Sequence, residues 1–217
     1  MLEVNNLTVR YNPDDSVPAL NEISFSLRDG EKIALIGNNG AGKSTLLLTL
    51  VGILLPESGS VVVDGIALNK NTVNEIRGKI GLVMQNPDDQ LFMPTVFDDI
   101  AFGPRAKGIA EPLVEQKVDG VMSRLGIAPL KTRLTHRLSG GEKRLAALAG
   151  ILVTEPSIML FDEPATFLDP PARARLIDIL CGLSQSMIIA THDLDLAAKL
   201  CSRELLLERG RLGRTED

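Results

Sequence analysis

The stretch Gly37-Asn38-Asn39-Gly40-Ala41-Gly42-Lys43-Ser44-Thr45 constrains this chain more than any other. Its glycines allow a tight loop whose backbone N–H groups turn inward around an anion. Lys32–Ile36 before it is a compact apolar run that reads as a strand, and Ser44–Ile53 after it reads as a helix. In that setting the loop amides and the positive end of the helix face phosphate oxygens. Lys43 reaches the β- and γ-phosphates of a nucleotide, and Ser44 offers a hydroxyl to Mg²⁺. An ordinary glycine turn is the competing reading, and the strand-before, helix-after context argues against it.

The remaining pattern agrees with an open α/β sheet. Strands are predicted at Leu2–Val9, Ile23–Leu27, Lys32–Ile36, Ser60–Val63 and Ile80–Met84, and again at Ile158–Phe161, Met187–Ala190 and Glu204–Leu207. Between the two groups the character turns helical, at Val96–Phe102, Pro112–Leu125 and Gly141–Leu152. This predicts an α/β core over residues 1–87 and 153–217, interrupted by a helical subdomain over 88–152. At 217 residues the chain can bury a sizeable core. A net charge of −5 argues against a nucleic-acid partner, which needs a basic footprint. No run of about 18 apolar residues is present, and the N-terminus lacks a leader pattern, so any membrane role is expected to come through a partner. Cys181 and Cys201 sit in apolar context and read as buried reduced thiols.

Two further constellations gain meaning beside the glycine loop. Ser157–Glu163 is an apolar strand ending in two carboxylates. Asp162 can address Mg²⁺ through water, and Glu163, one residue on, can point at an attacking water. Alone, such a strand end is more often a loop cap. Leu138-Ser139-Gly140-Gly141-Glu142 precedes a helix, where a hydroxyl and backbone amides form an anion site. Alone, it is a good N-cap.

The order of these segments resembles that of ATP-binding-cassette ATPases, and Leu138–Glu142 is similar to that family's own signature. The resemblance covers essentially the whole chain. It implies a phosphate-loop NTPase fold: a mostly parallel sheet, an N-terminal antiparallel β region and an inserted α-helical subdomain. It implies ATP and Mg²⁺ as cofactors. Asn38, Asn39, Gly40, Ala41, Gly42, Lys43, Ser44 and Thr45 would hold the phosphates, and Tyr11 would stack on adenine. Ser139, Gly140, Gly141 and Glu142 would act in trans, from a second cassette. Glu163, His192, Lys43 and Gln85 take the catalytic positions, with Gln85 ending the strand before the insert. Ser44, Gln85 and Asp162 take the Mg²⁺ positions, and Asp169 lies in the loop that crosses the dimer interface. His136 matches no family role and reads as structural. Two residues depart from the pattern: Ala165 replaces the usual threonine, and Phe167 replaces a small residue before Leu168-Asp169.

The short span from Gln85 to Ser139 suits transporter cassettes. The segment Gln85-Asn86-Pro87-Asp88-Asp89-Gln90-Leu91-Phe92, with Thr95–Pro104 and Ala147–Gly150, resembles the cobalt and nickel importers and the wider energy-coupling-factor group. That likeness implies an importer ATPase for a metal ion or vitamin, on the cytoplasmic face of the membrane. Its partners would be a second cassette, an integral membrane scaffold subunit and a substrate-binding membrane subunit. The scaffold would dock on Asp88, Asp89, Leu91 and Phe92. The competing reading is a soluble ATPase of the same family with a regulatory or repair role and no membrane partner.

Overall fold

The computed structural model describes residues 1–12 and 14–213. In chain order the elements are β1 (Leu2–Val9), β2 (Leu20–Leu27), β3 (Lys32–Ile36), α1 (Lys43–Leu50), β4 (Ser58–Val63), β5 (Ile66–Ala67), α2 (Val73–Lys79) and β6 (Ile80–Val83). There follow α3 (Val96–Ala106), α4 (Glu111–Arg124), α5 (Gly140–Leu152), β7 (Ile158–Asp162), α6 (Pro170–Cys181), β8 (Ser186–Ala190), α7 (Leu194–Leu200), β9 (Arg203–Glu208) and β10 (Arg211–Leu212). Two sheets result. One is antiparallel with order β2-β1-β4-β5, and the other runs β10-β9-β3-β8-β7-β6. In the second, β7–β8, β8–β3 and β3–β9 are parallel, and the β9–β10 hairpin is antiparallel.

The two sheets show two burial patterns. In β1 the inward residues are Leu2, Val4, Leu7 and Val9. Val4 and Leu7 are three apart rather than two, so strict alternation would turn one of them outward. A register shift between them, with Asn6 at φ 47°, restores both to the core. By contrast β8 is buried at every position and β7 at all but its last, as strands covered on both faces must be.

Contacts divide the chain into two compact units. The first holds residues 1–82, 157–163 and 184–217, and the second holds 83–156 and 164–183. In the second, α3 packs on α4 and α5, and α5 on α6. The turn signal Gly103-Pro104 does not end α3, which runs on to Ala106. Conversely α1 stops at Leu50, because Gly52 takes a left-handed φ of 69° and a Cβ there would sit 2.7 Å from Val73 Cγ2. Helices α2, α6 and α7 lie where no helix was predicted. For α6 the signal was present: Asp169 caps the Ala172 N–H at 2.8 Å and Pro170 and Pro171 open its first turn. The cysteines correct an expectation. Cys181 is exposed and Cys201 only half-buried, although burial still pushes the Cys201 thiol up to about 12. Both lie at helix ends, where one side of the residue faces out.

Among the described residues no helix is long and apolar enough to cross a membrane. One buried carboxylate organises the loop that leads into α3. Asp99 accepts the N–H groups of Phe92 (3.3 Å) and Met93 (3.0 Å), yet burial pushes its carboxyl above the ordinary value. The folded state therefore holds this proton more tightly than the unfolded chain does. Its contribution to stability is full below the ordinary carboxylate pKa and is lost as pH rises through the raised folded value. Asp99→Asn removes the titration at nearly constant shape. In urea unfolding at several pH values, wild type should lose stability relative to the variant as pH climbs from the acid side towards neutrality. A pH-independent difference would show that Asp99 titrates alike in both states.

Candidate functional site: a phosphate loop with buried charges

The first unit gathers its polar chemistry at the C-terminal ends of three adjacent parallel strands. β3 delivers the glycine loop, β7 delivers Asp162 and Glu163, and β8 delivers Thr191 and His192. Ligand sites in open parallel sheets form at this edge, because loops diverge there and helix N-termini converge. Gly40 and Gly42 take φ of 79° and 108°, which side-chain-bearing residues rarely adopt. At Gly37 a Cβ would lie 2.3 Å from the Leu207 carbonyl oxygen, so the loop can start here only with glycine.

Within the loop, Lys43 is 7% exposed, and its ammonium donates to the Gly37 carbonyl at 2.6 Å. The Asn38 carbonyl lies at 3.5 Å and Glu163 Oε1 at 3.6 Å. Glu163 is itself 7% exposed. Its other oxygen, Oε2, lies 2.9 Å from His192 Nδ1 and 3.4 Å from the His192 N–H. Its backbone sits at φ 46°, and its N–H donates to the Ala190 carbonyl at 2.8 Å. The carboxylate is thus fixed from both strands, in a left-handed conformation that is uncommon outside glycine, asparagine and aspartate.

Asp162 faces the start of α1. Burial pushes its carboxyl up, and a hydrogen bond from the exposed Ser44 hydroxyl opposes that shift. A hydroxyl beside a desolvated carboxylate is a hard oxygen pair that fits Mg²⁺. Tyr11 lies just past the end of β1 with its ring exposed. Its hydroxyl pairs with Thr45 Oγ1 at 2.7 Å, a link to the phosphate loop that the sequence did not reveal. The structure therefore assembles Tyr11, Asn38 to Thr45, Asp162, Glu163 and His192 in one unit.

Other expected site residues lie in the second unit. Ser139 caps α5 in a reciprocal box: its hydroxyl accepts the Glu142 N–H at 3.3 Å and its own N–H donates to Glu142 at 2.8 Å. That N–H holds the Glu142 carboxyl below the usual range. Ser139, Gly141, Glu142 and Asp169 line one concave pocket of about 290 Å³. Gln85 corrects the sequence reading. It does not end a strand, because β6 stops at Val83. The carbonyls of Met84 and Gln85 bond instead to the Arg144 guanidinium, at 2.7 and 2.6 Å. Asp88 is ion-paired with Lys143 at 2.6 Å, Asp89 accepts from the Asn86 amide at 3.2 Å, and both lie in a short 3₁₀ turn, Pro87–Asp89. Leu91 is half-buried, and Phe92 is 63% exposed.

With the geometry established, relatives give it a class. The ABC transporter family matches residues 20–166, and the chain belongs to that family. It is an ATP-binding-cassette ATPase. It is 44% identical to the energy-coupling factor transporter ATP-binding protein EcfA of Methanothermobacter thermautotrophicus, over 98% of this chain and 69% of that one. Among solved structures it is similar to CbiO1 of Clostridium perfringens, described as part of the ABC transporter complex CbiONQ. The TM-score there is 0.88 at 36% identity, covering 98% of this chain and 86% of that one. An ATP-binding cassette solved as a dimer after hydrolysis, with ADP and Pi, shares the fold: TM-score 0.90 at 24% identity, covering 100% and 98%.

Two expectations follow. Glu163→Gln keeps the side chain's shape and removes its charge. Hydrolysis should fall roughly a hundredfold or more while ATP still binds, as equilibrium nucleotide binding and phosphate release would show. Normal turnover would mean that another group positions the water. Phe167 is 92% exposed with φ 64°, in a 500 Å³ pocket shared with Gln85 and Gly140. Phe167→Gly relieves a strained conformation and empties no core, so thermal stability should change by less than about 1 kcal/mol. The ATPase rate should change by more than the melting temperature does. A variant that melts much earlier at unchanged specific activity would assign the ring to packing.

Proposed function

We propose that this chain is the ATP-hydrolysing subunit of an energy-coupling-factor importer for a metal ion, such as cobalt or nickel, or for a vitamin. The buried pair of Lys43 and Glu163 at the phosphate loop, with the exposed His192 imidazole against Glu163, carries the hydrolytic part of the reading. The likeness to EcfA and CbiO1 carries the transport part.

In this reading Lys43 and the loop amides bind the β- and γ-phosphates, and Tyr11 stacks on adenine. Ser44 and Asp162 hold Mg²⁺, with Gln85 as a further ligand; the ion neutralises charge on the terminal phosphates. Glu163 orients and polarises the attacking water, and His192 meets charge developing on the γ-phosphate. Catalysis is then positioning and electrostatics rather than covalent chemistry. Ser139, Gly140, Gly141 and Glu142 complete the site from a second cassette, with Asp169 at the interface.

The cassette pair would work on the cytoplasmic face of a membrane, against an integral scaffold subunit that holds a substrate-binding subunit. The segment after Gln85 is the docking surface. Phe92 meets Phe102 edge to face at 4.8 Å, giving a partner helix an exposed aromatic anchor. Asp88 and Asp89 are available to a basic side chain, Asp88 by exchange of Lys143. Losing one partner of a partly buried Arg–carboxylate contact costs about 2–5 kcal/mol. Co-purification of the full complex from membranes tests the reading. Asp88→Ala combined with Asp89→Ala should leave ATP binding intact and weaken recovery of the membrane subunit. Unchanged assembly and transport would remove the docking role, and a wild-type chain that never enters the membrane fraction would remove the importer reading altogether.

A further inference from the structure

The first two turns or so of the signature helix are tied to the main chain around Gln85 by side chains that the catalytic reading does not use. Arg144 is 3% exposed. It donates to the carbonyls of Met84 and Gln85, at 2.7 and 2.6 Å, while its buried Nε has no acceptor. Gln90 closes the same segment from the other side. Its Oε1 accepts the Met84 N–H at 3.2 Å, and its amide donates to the Ala147 carbonyl on α5 at 3.1 Å. At the rim, Lys143 pairs with Asp88 at 2.6 Å. Both backbone groups of Met84 and the carbonyl of Gln85 are thereby satisfied by side chains rather than by strand β6, which ends at Val83.

Such an arrangement is poor design for stability alone. A buried guanidinium with an orphaned donor is expensive, and a methionine would fill the space without a desolvated charge. Its planar fork does what an apolar residue cannot, fixing two successive carbonyls against one helix. We propose that Arg144, with Gln90, is a positioning residue for Gln85: it locks residues 84–90 to α5, so that the signature and the glutamine segment move as one body. Contact of Ser139–Gly141 with nucleotide on a second copy then sets the placement of the Gln85 main chain, and with it the turn bearing Asp88 and Asp89. The proposal rests on the assignment of Gln85 to the catalytic site.

The test uses the purified protein and four variants: Arg144→Met, Arg144→Lys, Gln90→Leu and Gln85→Ala. The readouts are kcat and KM for MgATP, melting temperature, and hydrogen exchange over residues 84–90. Freed from its acceptor, the Met84 amide in Gln90→Leu should exchange roughly tenfold faster. Arg144→Met should likewise loosen the segment and lower kcat on the order of 10- to 100-fold with KM nearly unchanged, because misplacement harms the transition state more than binding. Arg144→Lys should recover the charge but only part of kcat, since an ammonium cannot span both carbonyls as the fork does. If Arg144→Met melts earlier yet keeps wild-type kcat and exchange, Arg144 only fills the core and the proposal is overturned. Should Arg144→Met not fold, Gln90→Leu with wild-type exchange and kcat overturns it equally. A Gln85→Ala protein with wild-type kcat shows instead that the assignment of Gln85 is at fault, and the proposal falls with it.

Discussion

The C-terminal edge of the parallel sheet in the first unit holds Lys43 and Glu163 buried side by side. Two charges withdrawn from water to 7% exposure each carry a desolvation penalty of several kcal/mol. Their mutual attraction at 3.6 Å offsets part of it, and only if neither can swing away. The sheet supplies that constraint. β3 and β7 flank the fully buried β8 in a parallel ladder, so the loop, Glu163 and His192 start from strand ends whose spacing is fixed. The Gly37 and Asn38 carbonyls and the His192 imidazole supply the polar partners that keep each charge from being stranded. The left-handed backbone at Glu163 stores strain that a looser scaffold would release.

The second unit meets a similar problem by a different route. No sheet fixes its polar residues, so hydrogen bonds between side chains and backbone take that place. Ser139 and Glu142 cap each other, Asp99 gathers two N–H groups of the loop before α3, and Arg144 gathers two carbonyls. Each such link is worth about 1 kcal/mol when made and more than that when half of it is left buried. The unit is therefore specified by a set of switches that are either satisfied or costly.

How much of this could be read from the sequence followed from how local each signal is. The glycine loop and the strand ending in Asp162-Glu163 were legible because backbone sterics and apolar runs act over a few residues; both strands fell within a residue of expectation, while the helix after the loop began one residue early and ended three short of Ile53. The roles proposed for the phosphate-binding, catalytic and signature candidates came from spacing and resemblance rather than from local sterics. Illegible were the contacts between distant residues. Nothing near Tyr11 announces Thr45, and nothing near Asp88 announces Lys143. The end of β6 was misread for that reason: Gly81-Leu82-Val83-Met84 continues as an apolar run, but Arg144, sixty residues on, takes the carbonyl that a neighbouring strand would have taken. Cysteine burial was misjudged because apolar context along the chain does not say which side of a helix end faces out.

Phe167 shows where sequence and structure together say more than either alone. As a sequence feature it is a departure from the pattern that the family resemblance implies, which has a small residue before Leu168-Asp169. As a structural feature it is an exposed ring on left-handed backbone, two liabilities at one position: apolar surface in water and strain on a residue with a Cβ. Neither liability serves the fold of a single chain, since the ring is 92% exposed and so packs on little. Yet the neighbouring Leu168 and Asp169 are committed to structure, Leu168 by its N–H bond to the Ala165 carbonyl and Asp169 by its cap on α6. The loop is therefore held rigid while its one large side chain is presented outward. A rigid backbone carrying an exposed aromatic is the form that interface anchors take, because little entropy is lost when a partner covers the ring.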